Sequence, residues 1–169
     1  GMDRVHEAIR AMIDWERGVP HRIQHFLKVH SFCRYLGLEE GLAGAELELL
    51  ELAGTVHDIG IRPAREKYGR HDGPLQEREG MEPARALLRG IGVEEETVER
   101  IVFLVGHHHT LTGVKGLDWQ ILLEADFLVN SQEKGMPLSA IRRAEETFFR
   151  TESGKRLLHR QYPELDETE

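Results

Sequence analysis

Glu51-Leu52-Ala53-Gly54-Thr55-Val56-His57-Asp58-Ile59-Gly60 is the stretch on which the fold turns. It closes a segment in which Leu47, Leu50, Ala53, Gly54 and Val56 recur at helical spacing, and this predicts a helix over about 43–58 that stops at Gly60 and Pro63. An imidazole and a carboxylate, side by side, therefore fall on the last turn of an apolar helix. An ionised carboxylate in such surroundings is costly to desolvate unless it is paired or bound to a cation. His57 and Asp58 thus need partners from elsewhere in the chain.

Working outward, the same helical period dominates. Val5, Ile9, Met12 and Ile13 share one face. A second helix is predicted over about 20–36 from Ile23, Phe26, Leu27, Cys33 and Leu36, with Pro20 tolerated in its first turn and with Gly37 and Gly41 ending it. Residues 59–73 carry Gly and Pro breakers among clustered Arg and Lys with no regular period, which reads as a basic surface loop. Further helices are expected over about 74–88, 94–108, 117–131 and 137–150, with a short one before Tyr162-Pro163. No alternating strand pattern and no repeat appears. The expectation is an all-α bundle of at least five helices forming one domain over 1–169, its motif-bearing core at about 20–130 and a helical extension at about 137–160.

Composition narrows the chemistry. At 169 residues, 40% hydrophobic and 31% charged, the chain has the make-up of one globular domain. Its 22 Lys and Arg against 30 Asp and Glu give a net charge of −8, which opposes general attraction to nucleic-acid backbones. Cys33 is the single cysteine, so a metal site cannot be a thiolate cluster and must draw on His and carboxylates. No run of about 18 apolar residues is present and no apolar leader is visible, so no membrane partner and a cytoplasmic address are expected.

Two further segments place metal-capable side chains in apolar company. Asp126 lies between Ile121-Leu122-Leu123 and Phe127-Leu128-Val129, and His107-His108-His109 follows Ile101-Val102-Phe103-Leu104-Val105. Carboxylates and imidazoles on several core-forming helices can converge on a divalent cation, as in other helical bundles. The plainer alternatives are a solvated charge at Asp126 and a core or capping imidazole at His25. Mixed nitrogen and oxygen ligands suit Fe, Mn, Zn or Co without choosing among them. Successive helical side chains rotate by about 100°, so one or two of the three adjacent imidazoles should face a common point. No phosphate-cradling glycine motif, Gly-x-Ser-x-Gly elbow or His-Glu-x-x-His helix is present.

In these residues the chain resembles the HD-domain superfamily of metal-dependent phosphohydrolases. The likeness runs in order through His25, His57-Asp58, the 107–109 run and Asp126, over about residues 20–130. It implies that His25, His57, Asp58 and Asp126 bind a first metal, with Asp58 bridging to a second. Dinuclear members usually place a His shortly before a Gly on the helix starting near Pro74; here Gln76-Glu77-Arg78-Glu79-Gly80 stands there, and Glu79 is the preferred ligand over Gln76. His107 and His108 are expected to complete the second site, with His107 assisting proton transfer and His109 lining the pocket. Arg22, one turn before His25, either grips phosphate or forms a surface ion pair. Arg62 and Lys115, with Arg65 and Lys67, are further candidate phosphate contacts. The implied reaction is hydrolysis of a small phosphomonoester or phosphodiester, nucleotides among them, by metal-activated water. A di-iron oxygenase of the myo-inositol oxygenase type and a noncatalytic metal or nucleotide sensor are the alternatives.

Overall fold

The computed structural model describes residues 3–167, and the apolar periods of the sequence resolve there into nine α-helices with no strand among the described residues. These are α1 (Arg4–Trp15), α2 (Pro20–Glu39), α3 (Gly44–Val56), α4 (Ile61–Tyr68), α5 (Gly73–Gly90), α6 (Glu95–Val105), α7 (Leu117–Glu133), α8 (Leu138–Phe148) and α9 (Glu152–Gln161), followed by a short 3-10 turn at Pro163–Asp166. No described helix is long and apolar enough to cross a membrane.

α2, α3 and α7 form the centre. α2 packs against both of the others, α1 and α6 lie against α3, and α5 lies against α6. α7 is buried continuously from Ile121 to Asp126, so it runs through the core and not over it. Two glycines set the close approach of α2 and α3. A Cβ on Gly37 would stand 2.9 Å from Leu47 Cδ1, and one on Gly54 would stand 2.9 Å from Cys33 Sγ. Gly37 therefore does not end α2 as its type had led us to expect. It lies within a helix that runs on to Glu39 because close packing offsets its poor propensity.

The second departure is α4, which occupies the stretch read as a loop. Pro63 sits in its first turn, where the missing N–H would have no intrahelical partner, and the helix buries Ile61 and Ala64. Gly69, at φ 70°, stops it in the left-handed region that glycine adopts without strain. Two helix ends also fall earlier than the periodicity implied. α3 stops at Val56, so His57 and Asp58 sit in the turn 57–60, and α6 stops at Val105, so the three adjacent histidines lie beyond it in another turn.

Candidate metal centre

The turn after α3 is held from two sides. Trp15 Nε1 at the end of α1 donates to Ile59 O at 3.1 Å. On the other side Gly60 meets α5 so closely that a Cβ there would lie 2.2 Å from Gln76 O and 2.6 Å from Gly80 N. His57 and Asp58 are thereby fixed between α1 and α5, facing α2 and α7.

Four of the expected ligands converge. His25 Nε2 lies 3.2 Å from Asp58 Oδ2 and 3.1 Å from Asp126 Oδ1. His57 Nε2 lies 3.3 Å from each of the same two carboxylate oxygens. On the far side of Asp58, its Oδ1 is 3.2 Å from His108 Nε2. The ligand-capable atoms fall into two groups that share Asp58: His25, His57, Asp58 and Asp126 in one, and Asp58, His108 and His109 in the other.

Three imidazoles are oriented alike. His57 Nδ1 donates to Gly54 O at 2.7 Å, His108 Nδ1 to Val105 O at 2.6 Å, and His25 Nδ1 to Glu133 Oε1 at 2.7 Å. With Nδ1 carrying the proton, each ring turns its Nε2 lone pair towards the carboxylates. His108 Nε2 is buried and makes no hydrogen bond, despite its closeness to Asp58. Two electron-rich atoms facing each other in a dry site call for a cation between them, and this donor set fits a divalent transition metal. The same demand shows in the side chains alone. Burial would lower the imidazole of His25, but its hydrogen bonds to Asp126 and Asp58 raise it to about 11. For His57 burial is likewise overcome, chiefly by the charge of Asp58, and the ring is raised to about 10. Asp58 and Asp126 are held below the ordinary carboxylate range by these imidazoles, against burial.

The remaining expected residues divide. His107 does not join the cluster: its Nδ1 donates to Phe103 O at 2.7 Å and its ring stacks on Phe103, centroids 4.0 Å apart, with Trp119 at its edge. Because the helix ends at Val105, the turn carries His108 inward and His107 back against α6. His109 takes the place beside His108. Its backbone N–H and the Thr110 hydroxyl both donate to Glu77 Oε2, which clamps the turn. Glu79 is not a ligand either, since Lys67 at 2.6 Å and Arg78 at 3.4 Å neutralise it away from the cluster. Gln76 holds the inward position, with its Nε2 donating to His71 O at 2.5 Å and its Oε1 receiving His109 Nε2–H at 2.9 Å. His109 is exposed at one edge, yet desolvation of its ring, with His108 nearby, lowers it to about 4.

A cleft of about 890 Å³ opens onto the cluster, lined by His25, Asp58, Asp126, Gln76 and His109 at its floor. Arg22, Lys28, Arg65 and Lys134 also line it. Arg22 forms an ion pair, but with a buried partner and not at the surface. Its Nε is 3.1 Å from Oε2 of the buried Glu16, yet the side chain still borders the cleft. Burial raises the Glu16 carboxyl, and Arg22 and Arg62 oppose that rise. Arg62 faces Glu16, Glu66 and Arg17 O and does not line the cleft. Lys115 is exposed in the connection between α6 and α7, also away from the cleft.

The sequence reading passed over Glu133 and Lys28. Glu133 bonds His25 and is itself held by Lys28 Nζ at 2.7 Å. Its signal was available: Asp126, Asn130 and Glu133 stand at i, i+4 and i+7 on one face of α7, and Lys28 is one turn from His25 on α2.

The model of the HD-domain family matches residues 22–143, which spans the whole cluster. No functionally curated protein is matched by the sequence. Among solved structures, the fold is similar to that of a protein from an uncultured Thermotogales bacterium described as a predicted HD superfamily hydrolase. The TM-score is 0.65 at 23% identity, over 96% of this chain and 85% of that one.

Proposed function

The chain belongs to the HD-domain family, and from that premise we propose that it is a metal-dependent hydrolase acting on a small phosphomonoester or phosphodiester. The observation that carries this reading is the inward-facing set of imidazole lone pairs and two carboxylates at the floor of a cleft bordered by cations. His25, His57, Asp58 and Asp126 would hold a first divalent metal, and Asp58, His108 and His109 would hold a second. When bound, such a metal makes water a better nucleophile near neutral pH and offsets charge on the phosphoryl oxygens.

The side chains supply the rest. Arg22, steadied by Glu16, offers its guanidinium to a phosphate, since no hydrogen bond among the described residues engages its Nη atoms. His109, with its Nε2–H held by Gln76, keeps its Nδ1 lone pair for the second metal, so it serves as a ligand and not as the proton carrier expected of His107. Lys28 keeps Glu133 on His25, so the ring cannot swing its Nε2 away from the two carboxylates.

Elemental analysis of protein purified without added metal, joined to a phosphate-release screen over phosphorylated metabolites, tests the reading. Stoichiometric transition metal with release from at least one ester is expected. Bound metal with no release from any ester, together with substrate-dependent oxygen uptake, would replace hydrolysis by oxygenase chemistry. Arg22→Ala would leave Glu16 buried beside Arg62 alone, so the double variant Arg22→Gln, Glu16→Gln is the better probe. It should raise KM while metal content stays at the parent level.

A further inference from the structure

The walls of the cleft carry information that the cluster at its floor does not. Of the seventeen side chains lining it, only Val19 and Ile61 are aliphatic, and none is Phe, Tyr or Trp. Small-molecule sites are ordinarily lined mainly by apolar and aromatic groups. A purine or pyrimidine ring in particular is held by stacking on aromatic rings, imidazoles or guanidinium planes. The flat groups away from the metal-binding floor are the imidazoles of His21 and His71 and the guanidinium groups of Arg22 and Arg65; His21 is exposed, Arg65 and His71 Nδ1 engage each other at 2.9 Å, and Arg22 is tied to Glu16. What the walls offer instead is hydrogen bonding. Gln24 on α2 and Asn130 and Gln132 on α7 present amides, each of which can donate to and accept from a hydroxyl.

Charge is arranged to match. Arg65 and Lys134 line the cleft from α4 and from the end of α7, and neither pairs with a carboxylate among the described residues. His71 lies within the field of Arg65, Arg22 and Lys134, which together with burial keep its imidazole below the usual value. The wall therefore presents cations and amides, beside a floor that is rich in carboxylates.

Resting on the hydrolase reading, we infer that the substrate is a compact polyhydroxylated phosphate ester, a sugar or polyol phosphate, and not a nucleotide. The amides of Gln24, Asn130 and Gln132 take its hydroxyls, and Arg65 and Lys134 take anionic groups that the floor does not. In the reaction, water gives its oxygen to phosphorus, the ester P–O bond breaks, and the proton goes to the departing alkoxide. The products are inorganic phosphate and the free polyol.

The test uses the full chain loaded with Mn²⁺. Phosphate release is compared between glucose 6-phosphate and fructose 1,6-bisphosphate on one side and AMP, dAMP and ATP on the other. The sugar phosphates should lead in kcat/KM by about tenfold or more, the size of effect one missing stacking partner produces. Nucleotides equal or better would overturn the inference. If neither class releases phosphate, the hydrolase reading has failed separately, and calorimetric Kd values on the same protein decide. A tenfold tighter sugar phosphate supports the inference, whereas tighter nucleotides, or no binding by either class, overturn it. Asn130→Leu, which swaps an amide for an apolar group of similar size, should shrink the preference by about fivefold or more, as loss of one hydrogen bond to substrate does. An unchanged ratio would remove Asn130 from the recognising wall.

Discussion

Replacing Glu133 with Gln separates a residue that supports a metal ligand from one that merely joins two helices. Gln keeps an oxygen that can accept from His25 Nδ1, where Glu133 Oε1 now stands at 2.7 Å, but it loses the negative charge. That charge makes His25 a stronger electron donor, and disturbing such a partner typically weakens metal binding by about 10- to 100-fold. At free metal 100 times the parent Kd, binding stabilises the native state by about 2.7 kcal/mol, and by about 1.4 or 0.4 kcal/mol after the tenfold or hundredfold loss. The loaded variant should therefore melt about 3–9 °C below the loaded parent, at about 2–4 °C per kcal/mol for a chain of this size. Without metal the difference should be smaller than with it. The pair lost to Lys28, which is 44% exposed, contributes about 0–1 kcal/mol, and the His25 Nδ1–H keeps an oxygen acceptor in Gln. Thermal unfolding with and without metal, alongside a direct metal titration, reads both quantities. Equal losses in the two states with an unchanged metal Kd would show that Glu133 is only a tie between α2 and α7.

Asp58→Asn removes the carboxylate common to both ligand groups; metal affinity and turnover should each fall by more than about 100-fold, beyond the effect of disturbing a supporting residue, and full occupancy in this variant would undo the proposed centre. Gly60→Ala places a methyl group against the backbone of α5; denaturant unfolding should show a loss of at least about 1–3 kcal/mol, as overpacking does, and an unchanged midpoint would mean that α5 is free to move away. His159 is raised above its ordinary value of 6.5 by its hydrogen bond to Asp166 and by Glu145, so its contribution is complete below about pH 6.5 and is lost as pH rises through the folded-state value. His159→Gln should accordingly lower the melting temperature most in mildly acidic buffer, with the gap to the parent closing as pH rises; a gap that is constant with pH would dismiss the imidazolium as its source.

The helical class and the first ligand group were legible because they rest on local signals: apolar periods of helical spacing, and ionisable side chains set where burial is costly. The misreadings share a cause in the three-dimensional company of each residue. Pro63 and its charged neighbours looked like a loop, since nothing local shows that Ile61 and Ala64 find a core to enter. Glu79 was preferred for its charge, yet Lys67, twelve residues away in sequence, had already taken that charge up. His107 was chosen on the premise of a continuous helix, and the stop at Val105 turned it aside in favour of His109. Gln76 could not be ranked from its type, because its role depends on His71 O fixing which end of the amide meets His109.

The seam between Gly60 and α5 bears on how such a protein can diversify. The ligand-bearing turn is locked to α5 by backbone against backbone, so there is little freedom to retune the centre by drift at that contact. Arg65 on α4 and Asn130, Gln132 and Lys134 at the end of α7 carry much of the cleft wall, and none of them belongs to either ligand group or supports a ligand. Exchange of those side chains can redirect the preference for a substrate while the reacting centre is inherited unchanged. Laboratory evolution aimed at new esters should therefore accumulate its first successful changes in α4 and at Asn130, Gln132 and Lys134, and should find Glu133 and Gly60 closed to substitution.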